Sequence, residues 1–434
     1  MKSALSLFFC FSSLFAFAQP YDFSQIDNLL ESNLTDIYSG KVVCMVKKDS
    51  ELIYYKALGG YDSTSNALIA SVSKSLSAAV LMSLDEDGIL SLDDSLGQYL
   101  PLFTQTGKGH PTLRQCFSHT AGFPANSDFE SAIAASNLAA ASDSIALNTS
   151  LLYQPGNAFL YGGVSMHVAG RVAEVASGQP WWQLFSQRLV QPLGLQSTFF
   201  TSLLNPRIAG GIISNPSDLM KFAEMLLHEG SYNGVQVLSP ASVETMWNDQ
   251  TNHALQLYSP YPSNPVYNNP YDASTIYYGI GTWLDVFNPQ TDFQEQISGA
   301  GAFGSLFWVD RCRDISGLIF TSTEQQISIP ITHQIVDIVR AAIPSDCAGT
   351  TATTQIPAAD WKVFPNPASH LLTLQTAETQ FYGVILDATG HRLLHFENEK
   401  TVDVSALPSG LFVLQLSTPS GQSLGQTRFV KSGR

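Results

Sequence analysis

Ile69-Ala70-Ser71-Val72-Ser73-Lys74-Ser75 opens a stretch in which Leu76, Ala79, Val80 and Leu84 recur at helical spacing, which predicts a helix with an apolar face. The run Asp85-Glu86-Asp87-Gly88-Ile89-Leu90-Ser91-Leu92 stops it with a glycine. Residues three apart share a helix face, so Lys74 is placed to meet Ser71. At the start of that helix, free N–H groups and the dipole favour negative charge on a nearby oxygen. A lysine desolvated among apolar neighbours turns neutral and takes a serine proton. The competing reading is a capping serine beside a surface lysine. No other Ser-x-x-Lys occurs in the chain, and this one opens a helix, as a nucleophile motif of that kind requires.

Outward from this point, strands are expected at 42–47 and 52–58, before the helix. Helices are expected at 166–176 and 219–228. The pattern returns to strands at 278–285, 302–309 and 315–321, then to a helix at 329–342. Opening and closing strands packed with the last helix, around an inserted helical lobe, make an α+β plan and not a doubly wound one.

The chain has 434 residues, 44% hydrophobic and 13% charged, enough apolar material for a large core and too much for a disordered or fibrous chain. Its 21 basic against 36 acidic residues give −15. A nucleic-acid binder needs a basic footprint, so nucleic acid is excluded as a partner. Lys2, the apolar stretch 4–15 and Ala16-Phe17-Ala18 read as a signal peptide over 1–18. No later segment reads as an integral membrane span.

Four of the five cysteines lie beyond that leader, an even number suited to an oxidising compartment. Cys44 and Cys116 sit in apolar stretches and read as buried thiols. Cys312 and Cys347 sit in polar turns and are the expected pair. No His-x-x-x-His or close cysteine pair suggests metal, and no cofactor is implied.

Two further segments carry candidate chemistry. Tyr161 stands between the Pro155-Gly156 turn and the Gly162-Gly163 pair. A phenol there, beside a lysine ammonium that makes a tyrosinate affordable, suits proton transfer to a leaving group; an aromatic packed on the loop is the alternative. Ser298-Gly299-Ala300-Gly301-Ala302-Phe303-Gly304 is rich in small residues that let a substrate lie close to an edge strand. Its Ala302 N–H and the Ser71 N–H are the expected oxyanion donors, with Gly163, Gly299 and Gly301 lining the substrate. A plain strand-start turn is the alternative.

In this order the pieces resemble the serine β-lactamase and penicillin-binding protein superfamily, in particular its class C-like branch of β-lactamases, esterases and D-aminopeptidases. Further support comes from 90–101 (LSLDDSLGQYLP), Phe117-Ser118-His119-Thr120-Ala121-Gly122-Phe123-Pro124, Gln191-Pro192-Leu193-Gly194-Leu195, Gly210-Gly211-Ile212-Ile213-Ser214 with Asp218-Leu219, and Tyr278-Gly279-Ile280-Gly281-Thr282-Trp283. The resemblance spans about 24–343. It implies an antiparallel sheet flanked by helices, with Ser71 as acylated nucleophile, Lys74 as its base and Tyr161 as proton shuttle. His119 reads as part of a structural turn. Two positions depart from the pattern. The family's Tyr-x-Asn has Gly163 in place of the amide, and Gly299-Ala300-Gly301 lacks the Lys or His that commonly precedes x-Gly. Both departures point away from β-lactam or D-Ala-D-Ala chemistry and leave the covalent core intact.

At 348–359 (AGTTATTQIPAA) the chain turns Thr/Ala/Pro-rich and uncharged, as a linker does. Strands expected at 370–374, 382–386, 411–416 and 427–430 make 360–434 a small β-sandwich. Val363-Phe364-Pro365-Asn366-Pro367-Ala368, Leu386-Asp387-Ala388-Thr389-Gly390, Val404-Ser405-Ala406-Leu407-Pro408-Ser409-Gly410 and Phe429-Val430-Lys431 resemble the C-terminal sorting domain of type IX secretion substrates, implying that machinery as a partner and a secreted or cell-surface protein. The expected units are thus the signal peptide 1–18, a hydrolase domain 19–347, the linker 348–359 and the sorting domain 360–434. The expected activity is serine hydrolysis of an ester or amide on a small-molecule or peptide substrate. The competing class is a non-catalytic, penicillin-binding-protein-like surface binder.

Overall fold

The computed structural model describes residues 21–125, 134–252, 254–260, 277–288, 293–347, 361–376, 378–386, 392–417 and 423–432. The signal peptide and the linker lie outside them.

Helix α1 (Ser24–Ser32) leads into β1 (Val42–Lys48) and β2 (Glu51–Leu58). The chain then leaves the sheet for a long excursion that includes α2 (Ser73–Glu86), α3 (Val164–Ser177) and α4 (Pro216–Leu227). It returns through β3 (Trp283–Asn288), β4 (Phe293–Ala300), β5 (Leu306–Asp310) and β6 (Ile315–Thr321), and closes on α5 (Gln325–Ala342). The six strands form one antiparallel sheet in the order β3-β4-β5-β6-β1-β2. The α+β plan is therefore as expected, with the sheet sewn from both ends of the domain.

Both faces of this sheet are covered, and side-chain alternation along each strand decides which residue goes where. On β1, Val43 and Met45 join the core shared with α2, α3 and α4, while Val42, Cys44 and Val46 join the core shared with α1 and α5. Helix α2 lies at the centre of the first core: Ser73 to Leu84 are all buried. The sequence showed one apolar face; the structure buries every face, and the serines among those residues need polar partners.

One strand departs from expectation. Residues 293–300 form β4, an interior strand between β3 and β5. Ala302 is not on a strand; it sits exposed in the turn that separates β4 from β5. The edge-strand reading of 298–304 survives only locally. Trp283, the first residue of β3, pairs with Ser298, whereas Gly299 and Ala300 pair with Phe307 and Leu306 of β5 alone.

Cys312, in the β5–β6 turn, is bonded to Cys347 beyond α5, with Cα atoms 4.8 Å apart, while Cys44 and Cys116 are buried free thiols. Around the same turn Arg313 and Arg340 converge on the buried Asp310.

In the tail, the strands Lys362–Phe364, Leu371–Gln375 and Thr401–Asp403 form one sheet, and Tyr382–Leu386, Arg392–Glu397, Gly410–Ser417 and Ser423–Lys431 form a second. Trp361, Leu372, Leu374, Phe381, Ile385, Leu414 and Phe429 share a core, as a sandwich requires. Three short strands at 362–364, 392–397 and 401–403 add to the four expected.

Candidate active site

Ser71 is the middle residue of a single 3-10 turn, Ala70–Val72, that runs directly into α2. Ala70 just before it is held at φ +46°, a left-handed conformation that costs an L residue roughly 1–2 kcal/mol. Strain of this kind, placed beside a reactive group, persists only where the surroundings enforce it. Gly301 helps to enforce it. A Cβ on Gly301 would stand 2.3 Å from the Ile69 carbonyl oxygen, so only glycine lets the end of β4 press against the segment carrying Ser71.

Lys74 follows one turn later and is 3% exposed. Its Nζ donates to Ser71 Oγ at 3.0 Å and to the Ala209 carbonyl at 2.9 Å. Burial, aided by the Arg207 charge, pulls the amine down to about 7. Near neutral pH a large share of Lys74 is therefore a free amine, able to accept the Ser71 proton.

The helix serines fix the wall opposite. Ser73 Oγ accepts from Ile212 N–H at 3.2 Å, and Ser77 Oγ donates to the Ile208 carbonyl at 2.8 Å. With Lys74 on Ala209, three side chains of α2 hold 208–212 in place. Ser75 Oγ donates to the Gly281 carbonyl at 2.6 Å, tying α2 to the segment before β3.

Tyr161 follows the strand Ala158–Leu160. Lys74 Nζ lies 4.6 Å from its ring centroid, and the Ser71 hydroxyl acts on its phenol. Burial pushes the phenol well above its ordinary range, outweighing the lowering effect of Ser71. This corrects the tyrosinate expectation: Tyr161 is buried and stays protonated. Behind Tyr161, Trp283 stacks on its ring with centroids 5.0 Å apart, and Tyr278 packs edge-on against Trp283 at 4.8 Å. A side chain on Gly162 would run into Ala125, whose carbonyl oxygen is 2.3 Å from the Cβ position.

His119 packs 4.4 Å from the Tyr161 ring and sits at φ +60°. Among the described residues neither of its ring nitrogens has a hydrogen-bond partner, so it does not hydrogen-bond Ser71, and its turn position fits the structural reading. Burial and the Lys74 charge hold the imidazole neutral.

Of the other expected residues, Gly163 caps the start of α3, Gly299 lies over Ser75 on β4, and the Gly301 N–H donates to the Ser305 carbonyl at 2.8 Å. Successive strand amides point to opposite sides, which turns the Ala300 N–H toward the open strand edge. The tyrosine-rich stretch 258–278 is described only at its ends. Tyr258 accepts from the Tyr161 N–H at 3.1 Å and Tyr278 packs as above, while Tyr261, Tyr267 and Tyr271 lie outside the described residues. Tyr232 belongs to a small hairpin, Ser231–Tyr232 with Val235–Gln236. The residues that sequence reasoning missed are Ala209, whose carbonyl holds Lys74, and the Trp283 stack. A signal for the first was present in the Gly210-Gly211 pair, which marks a chain passing close to something.

Comparison with known proteins gives the kinship of both parts of the chain. Residues 39–337 match the model of the beta-lactamase family. The chain belongs to that family. Residues 362–430 match the secretion system C-terminal sorting domain, which indicates a protein handled by type IX secretion and destined for secretion or the cell surface. A protein of Escherichia coli (strain K12) named "Putative D-alanyl-D-alanine carboxypeptidase" is 30% identical over 212 residues, covering 42% of this chain. The chain spans about half, 48%, of that relative's length. Among solved structures, a Bacteroides dorei protein described as a "putative beta-lactamase" is 27% identical, covers 73% of this chain and 98% of its own, and superposes with a TM-score of 0.65. EstCE1, a hydrolase with promiscuous acyltransferase activity, shares the fold at 20% identity, with coverages of 73% and 97% and a TM-score of 0.59. The beta-lactamase family is one of serine hydrolases. No described helix is long and apolar enough to cross a membrane.

Proposed function

We propose that the domain hydrolyses an ester or amide through an acyl-enzyme on Ser71. One observation carries this reading: a buried, readily neutral Lys74 hydrogen-bonds the Ser71 hydroxyl, with the ring of the buried Tyr161 4.6 Å from its Nζ. In the proposed cycle Ser71 Oγ attacks the substrate carbonyl carbon and its proton passes to Lys74 Nζ. The oxyanion is met by the Ser71 N–H, which as an early helical amide has no intrahelical acceptor, and by the Ala302 N–H, with the Ala300 N–H as the other candidate. Collapse expels the leaving group, which takes a proton from Tyr161. The proton on Lys74 then restores the phenol. The Tyr161 ring face supports the transient ammonium. Water attacks the acyl-enzyme and releases the acid and Ser71. Gly163, Gly299 and Gly301 are proposed to line the substrate.

Esters and non-standard amides are favoured over β-lactams, because Gly163 and the Gly299-Ala300-Gly301 segment lack the amide and the cation that commonly serve there. The division into a leader at 1–18, hydrolase at 19–347, linker at 348–359 and sorting domain at 360–434 belongs to the same proposal, with release outside the cell or display on its surface after leader removal. A fluorophosphonate probe tests the chemistry. The native protein is expected to be labelled and Ser71→Ala not at all; labelling that persists in the variant rejects the nucleophile, and an unlabelled native protein favours the non-catalytic surface binder. A panel of p-nitrophenyl esters, D-amino acid amides and a chromogenic cephalosporin then ranks the substrate classes.

A further inference from the structure

His119 sits where a polar ring is costly to keep. It is 2% exposed, and with both ring nitrogens unpartnered among the described residues it forfeits the hydrogen bonds that offset burial of a polar group. An apolar side chain would avoid that cost. The backbone narrows the choice, because φ at 119 is +60°, a region in which Asn, Asp and His are several-fold enriched over other residues with a side chain. Of those three, only histidine carries a ring.

That ring lies among aromatics. Its centroid is 4.4 Å from that of Tyr161, 5.0 Å from Tyr278 and 5.7 Å from Phe159. Trp283 and Tyr278 also flank Tyr161, at 5.0 and 6.1 Å, so the imidazole is the nearest of the three. A larger six-membered ring in its place would overpack the contact. The backbone makes a second link. The His119 carbonyl accepts from the Leu160 N–H at 2.9 Å, one residue before Tyr161, and from the Tyr153 hydroxyl at 3.4 Å. Main chain and side chain of one residue therefore hold both the strand end and the phenol ring. The imidazole adds no charge beside Lys74, since burial and the Lys74 charge keep it neutral.

We propose that His119 is the positioning residue for Tyr161: its imidazole braces the phenol ring in the pose from which the hydroxyl reaches the leaving group. The histidine acts through Tyr161 and exchanges no proton with Ser71, Lys74 or substrate. This inference rests on the acyl-enzyme reading, in which Tyr161 protonates the leaving group, and the test separates the two. The signature follows from the chemistry. An alkoxide leaves only when a proton is supplied, whereas p-nitrophenolate leaves as a stable anion, so misplacing the phenol slows an alkyl ester selectively. A general loosening of the fold slows both alike.

The experiment measures kcat/KM for the ethyl and p-nitrophenyl esters of one acid in the native protein, His119→Asn, Tyr161→Phe and the double variant. Asparagine accepts the left-handed backbone and removes the ring. In His119→Asn the ethyl ester should lose on the order of ten- to a hundredfold more than the p-nitrophenyl ester. The double variant should match Tyr161→Phe on the ethyl ester within about threefold, because both changes act through one phenol. Equal losses on the two esters, no loss, or losses that multiply in the double variant overturn the proposal. So does a native protein that turns over the p-nitrophenyl ester alone, since it has no working proton donor. His119→Gly, also at ease in the left-handed region, stands in if the asparagine variant does not fold; if neither folds, His119 belongs to the fold and the proposal fails. Fluorophosphonate labelling of the native protein tells the failures apart. A labelled protein loses only the role of His119, whereas an unlabelled one loses Ser71 as nucleophile too.

Discussion

Lys74 Nζ and Ser71 Oγ lie 3.0 Å apart across one turn, and the lysine's other contacts are a carbonyl and an aromatic face. No carboxylate pairs with it among the described residues, so burial acts on the amine unopposed.

The pH dependence follows from that. With Lys74 near 7, kcat/KM for an ester should rise as pH passes upward through about 7 and then level, because the free amine is the acceptor. The same shift affects stability. Between about 7 and the ordinary 10.5, the unfolded chain holds a proton that the folded chain has lost, so stability rises with pH across that window, and below it the penalty is constant. A rate that falls through pH 7 on the way up contradicts the assignment. Lys74→Ala should lose roughly 10²–10⁴-fold in rate, and Lys74→Arg should not recover it, because a guanidinium keeps its proton.

Tyr161→Phe keeps the ring on Trp283 and removes only the phenol. Rates should drop by about 10² or more while the urea midpoint moves little. A matching loss of stability would assign Tyr161 to packing.

Gly301→Ala places a methyl 2.3 Å from the Ile69 carbonyl oxygen. Because backbone, not a flexible side chain, stands in the way, the cost should be roughly 1–3 kcal/mol. Fluorophosphonate labelling should slow as well, since the turn holding Ser71 is what must yield. Urea unfolding and labelling kinetics on one preparation measure both.

The Cys312–Cys347 bond spans a sequence separation of 35 residues. Replacing both cysteines with serine should destabilise the domain by about 3–4 kcal/mol on the chain-entropy account. Esterase activity at low temperature should survive, because the bond lies at the β5–β6 turn and the catalytic groups are elsewhere. Equal urea midpoints for the two proteins would contradict this.

What the sequence made legible was local. The Ser71–Lys74 spacing is set by helix geometry alone, and Cys312 and Cys347 were separated from Cys44 and Cys116 by their polar surroundings. Strand β4 was not legible over most of its length. Its Gln294, Glu295 and Gln296 read as surface but are buried, held by partners distant in sequence. Arg340 donates to Gln296 Oε1 and Glu295 Oε2 at 3.1 Å each, and Arg311 Nε donates to the Gln294 carbonyl at 2.7 Å. The tyrosinate expectation failed for a related reason. A motif shows which groups are neighbours but not how much water is left around them, and burial decides the state of Tyr161.

Ser73, Lys74 and Ser77 tether 208–212 to the helix that follows directly on Ser71. Catalyst and facing wall therefore travel as one rigid piece, and neither can widen the cleft without tearing a tether. Room for a bulkier acyl group has to be found across from them, where β3 stops short of Gly299 and Ala300 and leaves a gap in the ladder. Engineering a broader substrate range should begin at that gap.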